Sequence, residues 1–332
     1  MGQRKERLDR GIKARSDDIY ALCSWGEMVY LAGPRLFLIL AFAFLPLLLN
    51  YYWQKVFLSA GVFAMLAISW DMLEQSGMVS LGQAFFFGVG AYFAGIMNHS
   101  WGWPVYVTIP MATVCGALFC TISLLPVLRL RGIYFAMVTL ILPIMLGRII
   151  EATKIFGGTV GLSGLDPLPS RWVELYLVLA ALVAAFFGSR RLMDSDFGLA
   201  LKGMKDNDRS IMSAGINIYW LKAQILFVSS GLGAFVGAYM THVYMFVGMP
   251  AFALDYSILP IAAAVVGGVG TLTGPMLGAF ILVPLSEILR GIGGFRMALY
   301  GFFLVFFIVG LPEGIFHYIQ RKYHQFERWV EV

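Results

Sequence analysis

The chain has 332 residues, 59% of them hydrophobic and 15% aromatic but only 13% charged, where an average soluble domain is roughly 45–50% apolar and 25% charged. That balance excludes an ordinary soluble globular protein, and its 37 Gly carry neither a collagen period nor a low-complexity bias, which leaves a folded polytopic membrane protein. In such a chain the formal charge of +5 is a topology signal and no invitation to nucleic acid.

Residues 1–35 read as a basic cytoplasmic segment, with Arg4, Lys5, Arg7, Arg10, Lys13, Arg15 and Arg35. Within it, Asp17–Leu31 mixes charges with Tyr20, Leu22, Trp25, Met28 and Tyr30, which suits a helix lying in the membrane interface. The first apolar run, Leu36–Trp53, ends on Asn50-Tyr51-Tyr52-Trp53. That is no small-residue cleavage site, so the run reads as a retained span. Further apolar segments at 56–73, 80–98, 104–128, 133–150, 173–189, 221–247, 255–268, 271–289 and 296–311 bring the total to ten. Glycine and proline interrupt the pair around Gly267, Gly268, Gly270, Gly274 and Pro275, so some spans are short or broken.

The predicted fold is therefore all-α, a polytopic membrane protein with about ten transmembrane helices over 36–311, a cytoplasmic loop at 190–220 and a cytoplasmic tail at 312–332. With both termini in the cytoplasm, 18 of the 24 Lys and Arg fall on the inner side, as the positive-inside rule asks. Each span takes about 20 residues to cross roughly 30 Å of hydrocarbon, so no soluble catalytic domain fits beside ten of them.

No G-x-x-x-x-G-K-[ST] occurs, so the chain does not energise transport with ATP alone. His99, His242, His317 and His324 lack metal-ligand spacing and no G-x-S-x-G elbow appears, so neither a metal site nor an enzyme active site is expected. Cys115 and Cys120 fall in an apolar run as small hydrophobes. Asp71, Glu74, Arg148, Glu151, Asp255, Glu287 and Arg290 fall near span ends, where they read as interfacial anchors. That disfavours an ion-coupled carrier, although a broken helix would bring Asp71 and Glu74 or Asp255 toward a cavity. Gly233 with Gly237, Gly274 with Gly278, and Ala91 with Gly95 are small residues at helical spacing and predict close helix contacts. Ser80, Gln83, Gly88, Gly90, Ser257, Gly267, Gly268 and Gly274 are the candidates for a lightly polar translocation path.

The longest non-apolar stretch after the amino-terminal segment is Arg190–Trp220. Asn207 or Asp208 can cap a short helix there that ends at Gly215. A short helix between two turns suits docking in a groove on a partner.

Four blocks together carry a family resemblance: Ser80-Leu81-Gly82-Gln83 through Phe86–Tyr92; Leu128–Ala136 with Thr139-Leu140; Gly157–Gly164; and Gly198–Ile216 with Val266–Thr271 and Gly274–Ala279. In this order and spacing the chain resembles the branched-chain amino-acid ABC transporter permeases of the LivM type. The resemblance implies a bacterial inner-membrane importer built from a second homologous permease chain, two cytoplasmic ATPase subunits that bind ATP and Mg, and a periplasmic substrate-binding protein. It matches Gly198–Ile216 in length to the family's coupling segment, and so implies ATPase contacts at Gly198, Leu199, Lys202, Met204, Lys205, Asp206, Asp208, Arg209, Ile211 and Gly215. Leu199, Met204 and Ile211 would fill the partner's groove while the charged residues orient the helix. Gly158, Thr159, Val160 and Asp166, in the Phe156–Ser170 loop on the outer face, would meet the binding protein or rim the entrance. Gln83 stands where the family usually has His, Leu259 where it is often acidic, and Trp70–Gly77 is one residue shorter than common. These departures bear on the substrate, and neighbouring branches carry urea, short amides and other hydrophobic amino acids.

Overall fold

The computed structural model describes residues 44–130, 132–291, 301, 302, 305–307, 309–311 and 313–330. Met1–Leu49 and Asn50–Val332 are separate compact units. In the first, the described residues form a helical turn at 44–48. The basic segment 1–35, its interfacial helix, residues 36–43 of the span expected at 36–53 and half of the span expected at 296–311 lie outside the described residues.

The second unit is a helical bundle. Its long helices are α1 (Tyr51–Gln75), α2 (Gln83–Trp101), α3 (Val105–Leu124), α4 (Ile133–Thr153) and α5 (Arg171–Met193). After the short helices α6 (Asp196–Asp206) and α7 (Asp208–Ser213) come α8 (Ile218–Tyr244), α9 (Asp255–Gly267), α10 (Thr273–Ile288) and α11 (Ile315–Val330). Among the described residues the only strands are β1 (Leu162–Ser163) and β2 (Phe246–Val247), an antiparallel pair with Leu162 opposite Val247.

Seven segments are long and apolar enough to cross a membrane: Tyr51–Gln75, Val105–Arg129, Ile133–Thr153, Arg171–Met193, Ile218–Tyr244, Met249–Gly267 and Thr273–Gly291. The described residues thus support seven spans where ten were expected. One further segment, 80–98, forms α2 but starts only at Gln83 and ends on Asn98-His99-Ser100-Trp101, too polar to count by apolarity. α9 and α10, at 13 and 16 residues, are each too short at 1.5 Å per residue to reach across 30 Å. They attain span length only with the 3₁₀ turns beside them, as their glycines and prolines led one to expect.

α1 is the hub, packing against α5, α8, α9 and α10. A helix apolar all round belongs in the interior, and 89% of the apolar window of α1 is buried. α4 and α5 are buried over only a third of theirs, leaving Ile133, Met137 and Ile141 of α4 outward for lipid. α1 stops at Gly77, φ +77°, where Met78 N donates to Leu73 O and Gly77 N to Glu74 O. This is the paired hydrogen-bond closure that a left-handed glycine allows.

α2 lies between α3 and α8 along a glycine seam. A Cβ at Gly237 would overlap the Phe87 carbonyl, and one at Gly90 the Ala234 backbone; at Gly233 it would meet Phe86 Cβ at 2.5 Å. In the α9–α10 hairpin, Gly267 lies against the Gly274 carbonyl and Gly278 against that of Ala263. Gly233, Gly237, Gly274 and Gly278 are therefore helix contacts, as expected. Gly95 is different, because its missing Cβ makes room for Val247 of β2.

Lipid is as apolar as Leu, so this close packing and not hydrophobic exclusion holds the helices together. Gly237→Val is expected to lower stability by about 1–3 kcal/mol or more through overpacking, whereas Gly188→Ala, with open space at its Cβ, leaves it unchanged or slightly raised. Thermal unfolding of the detergent-solubilised variants checks the contrast.

Candidate functional site

The residues expected to be functional lie at the two ends of the bundle and in its interior. At one end the Gly268–Leu272 reversal joins α9 to α10 through Gly268 (φ +117°), Gly270 (φ +86°) and Leu272 (φ +59°). Leu272 is a side-chain-bearing residue in the left-handed region, which costs roughly 1–2 kcal/mol. Asp71 compensates. Its Oδ1 accepts from Gly270 N at 2.6 Å, and its Oδ2 from Leu272 N at 3.1 Å and Gln75 Nε2 at 2.8 Å. Asp71 is completely buried, which corrects its reading as an interfacial anchor. No sequence spacing announces a carboxylate bonded to backbone N–H groups some 200 positions away. Arg148 and Glu151, and Glu287 and Arg290, do form exposed ion pairs.

One turn beyond Asp71, Glu74 pairs with Lys205 of α6 at 2.6 Å. The backbones meet there too, for a Cβ on Gly77 would lie 3.3 Å from Lys205 Cα. α6 also presses on the end of α5, where a Cβ at Gly198 would overlap the Met193 carbonyl. The segment 195–217 is thus a bracket seated on α1 and α5. Asn207 Oδ1 accepts from Arg209 N at 3.0 Å and caps α7. Gly215 N donates to Met212 O and Ile216 N to Ile211 O, closing α7 at the expected glycine. Lys202, Lys205, Asp206 and Arg209 are exposed, and Asp208 is half-buried.

The apolar residues divide. Leu199 is 70% exposed, but Met204 is buried inside this chain and Ile211 packs half-buried on Gly203. Met204 and Ile211 therefore face inward, and Leu199 and Met212, 60% exposed, are the apolar side chains offered outward. A cavity of ≈ 340 Å³ lies beneath the bracket, lined by Ser76, Met78, Phe135, Asn207, Arg209 and Lys222 among others.

The path candidates fall into separate groups. Ser80, Gln83 and Ser257 meet at the start of α2, which lies inside the protein: all three are buried, and Ser257 Oγ accepts from Ala84 N at 2.9 Å, capping α2 from α9. Ser69 Oγ of α1 lies 3.1 Å from Gln83 Oε1 and 2.9 Å from Ser229 Oγ of α8, so three helices meet at one polar knot. Gln83 Nε2 is buried there without a hydrogen-bond partner. Gly88 lies under the Phe252 ring and Gly90 in the seam against Ala234. Gly268 belongs to the reversal, and Gly267 and Gly274 lie in the ends of α9 and α10 that flank it. Leu259 packs with Val56, Ala60 and Val283 in an apolar cluster.

At the opposite end, the 154–170 loop is anchored by a network that sequence reasoning missed. Asp166 Oδ2 accepts from Asn98 Nδ2 at 2.8 Å, and Asp166 N donates to Asn98 Oδ1 at 2.9 Å. Buried His242 donates from Nδ1 to the Asp166 carbonyl at 2.8 Å, while its Nε2 lies 2.8 Å from Thr108 Oγ1. Asp166 therefore anchors the loop, and Gly158 is buried; Thr159 and Val160, the latter 80% exposed, project outward.

A family model described as branched-chain amino acid transport system / permease component matches residues 52–311. The high-affinity branched-chain amino acid transport system permease protein LivM of Escherichia coli (strain K12) is 28% identical over 274 residues, covering 72% of this chain and 64% of the relative. LivM of Salmonella typhimurium gives the same figures. A probable branched-chain amino acid transport permease protein LivM of Methanocaldococcus jannaschii is 26% identical over 193 residues, 55% of each chain. The chain thus spans about 64% of the length of the first two relatives. No solved structure matches it.

Asp71→Ala leaves the buried Leu272 N–H without an acceptor, at about 1–3 kcal/mol, and also frees the N–H of Gly270, which is nearer solvent. Hydrogen exchange at Gly270 and Leu272 is expected to accelerate first, ahead of amides in the α2–α8 seam. Equal protection of the reversal in the variant and the parent protein would refute the bracing role.

Proposed function

The chain belongs to the branched-chain amino acid transport permease family, and from that premise we propose that it is a permease subunit of an ABC importer moving branched-chain or other hydrophobic amino acids across the bacterial inner membrane. ATP and Mg are held by two separate cytoplasmic ATPase subunits, a second homologous permease chain completes the gate, and a periplasmic binding protein delivers substrate. Both termini and the 195–217 bracket face the cytoplasm, and the 154–170 loop faces outward. The alternation of α1–α5 and α8–α10 between two ends of one bundle supports this arrangement.

The observation that carries the proposal is the bracket. Leu199 and Met212 give an ATPase groove two apolar contacts, and Lys202 and Arg209 orient them. Movement of the bracket reaches the spans along a continuous chain of contacts: Lys205 to Glu74, one turn of α1 to Asp71, and Asp71 to the α9–α10 reversal. ATP binding acts through the difference in docking energy between two arrangements of this chain. The polar knot of Ser69, Gln83 and Ser229 is the constriction of the path, where Gln83 Nε2 is a buried donor for a passing substrate. An ion-coupled carrier would need an ionisable relay inside the membrane, but Asp71 already serves three hydrogen bonds.

In the assembled complex, Leu199→Asp is expected to lower ATP-driven uptake by about tenfold or more through loss of an apolar anchor, with the permease still assembled; unchanged uptake and ATPase stimulation would refute docking through the bracket. Gln83→Leu is expected to lower uptake while leaving ATPase binding intact, as measured by pull-down of the ATPase. A cross-linker on Val160→Cys is expected to capture the binding protein, and failure at saturating binding protein would mark the loop as a plain connector.

A further inference from the structure

The last described element has no part in the transport reading. α11 has the sequence IFHYIQRKYHQFERWV. Ile315, Ile319, Tyr323, Phe326 and Val330 recur at i, i+4, i+8, i+11 and i+15, which places them on one face of a helix. The remaining positions include His317, Arg321, Lys322, His324 and Arg328 against the single acid Glu327. A strongly amphipathic helix with aromatic residues and an excess of basic ones is the composition that lies in a membrane surface.

The start of α11 is fixed to the bundle. Gly314 (φ +83°) sits so close to the α9–α10 reversal that a Cβ there would overlap Gly268 Cα, and a Cβ at Gly268 would meet His317 Nδ1 at 3.0 Å. Arg321 reaches back to Glu313, with Nη1 donating to Oε1 at 3.2 Å and Oε2 at 3.0 Å. The reversal is the one held by Asp71, one turn from Glu74 and the bracket, so α11 emerges at the end of the bundle where the spans α1 and α9 terminate. Beyond that seat Ile319, on the apolar face, is 54% exposed. The Arg321 and Lys322 cations lie 5.7 and 5.9 Å from the Tyr318 ring centroid.

We propose that α11 lies in the headgroup region of the inner leaflet, its apolar face in the acyl boundary and Arg321 and Lys322 on anionic lipid phosphates, and that this contact steadies the α9–α10 reversal on which it is seated. Three features select lipid as the occupant: the basic excess, an apolar face too narrow to enter the hydrocarbon core, and a position beside the ends of membrane-spanning helices. Basic residues beside an anionic leaflet each gain about fivefold in association, so removing two weakens the contact about 30-fold.

The test uses the full chain in nanodiscs of phosphatidylcholine with or without about 30 mol% phosphatidylglycerol, comparable to an anionic leaflet. Cys23, Cys115 and Cys120 are replaced by Ala, and an environment-sensitive fluorophore is placed on Ile319→Cys or, on the polar face, Gln320→Cys. The probe at 319 is expected to be quenched by a shallow nitroxide lipid, more strongly with phosphatidylglycerol, and the probe at 320 by aqueous iodide. In Arg321→Gln/Lys322→Gln the dependence on phosphatidylglycerol disappears. Equal iodide quenching at both positions, lipid quenching indifferent to charge, or protection of position 319 only when ATPase subunits are added would overturn the proposal. Should the cysteine at 319 prevent folding, the same fluorophore on Phe316→Cys, also expected to respond to lipid, takes its place.

Discussion

One buried carboxylate organises the end of the bundle on which the 195–217 bracket is seated. A charge inside a membrane protein is costly unless its hydrogen-bonding capacity is filled, and Asp71 fills its own with two backbone N–H groups and an amide. The arrangement works in both directions. The reversal between α9 and α10 gains acceptors that its glycines and Leu272 cannot supply, and α1 gains a fixed partner in the hairpin. At the far end Tyr52 Oη donates to Glu287 Oε1 at 2.5 Å, so α1 and α10 are pinned at both ends.

Around that pin the helices are held by fit. The glycines at 90, 233 and 237 bring α2 and α8 to backbone contact, and those at 267, 274 and 278 do the same for the hairpin. Polar contacts are few and placed where helices begin or cross. Ser257 caps a helix start that lies inside the protein, Ser69 and Ser229 tie α1 to α8, and His242 ties α8 to α3 and the 154–170 loop. Together these interactions join the helices at a few close contacts, a body plan that suits the gate proposed above.

Much of this was legible in the sequence because hydropathy, small-residue spacing and helix caps are local signals. The apolar runs found the long helices, the pairs Gly233/Gly237 and Gly274/Gly278 found real seams, and Asn207 and Gly215 bound α7 as their chemistry requires. Asp71 was misplaced because its position near a span end is visible along the chain, whereas its partners, backbone groups about 200 residues away, leave no pattern. Met204 and Ile211 were misassigned as outward contacts for a related reason: an amphipathic bracket seated on other helices has an inner and an outer apolar face, and the sequence does not say which residue takes which. Gly95 has the spacing of a helix seam but accommodates a strand, a choice made by the tertiary fold.

The seat of α6 on the Gly77 turn has a mechanical corollary. Where backbone rests on backbone there are no rotamers to yield, so that joint has no play and transmits displacement as a rigid linkage does. Next door, α7 is bounded by the extended Asn207 and by Gly215 with open space around it, the places where the bracket is free to bend. On the docking proposed above, an ATPase that engaged slightly out of line would be accommodated by tilting α7, while α6 would pass the displacement on to α1.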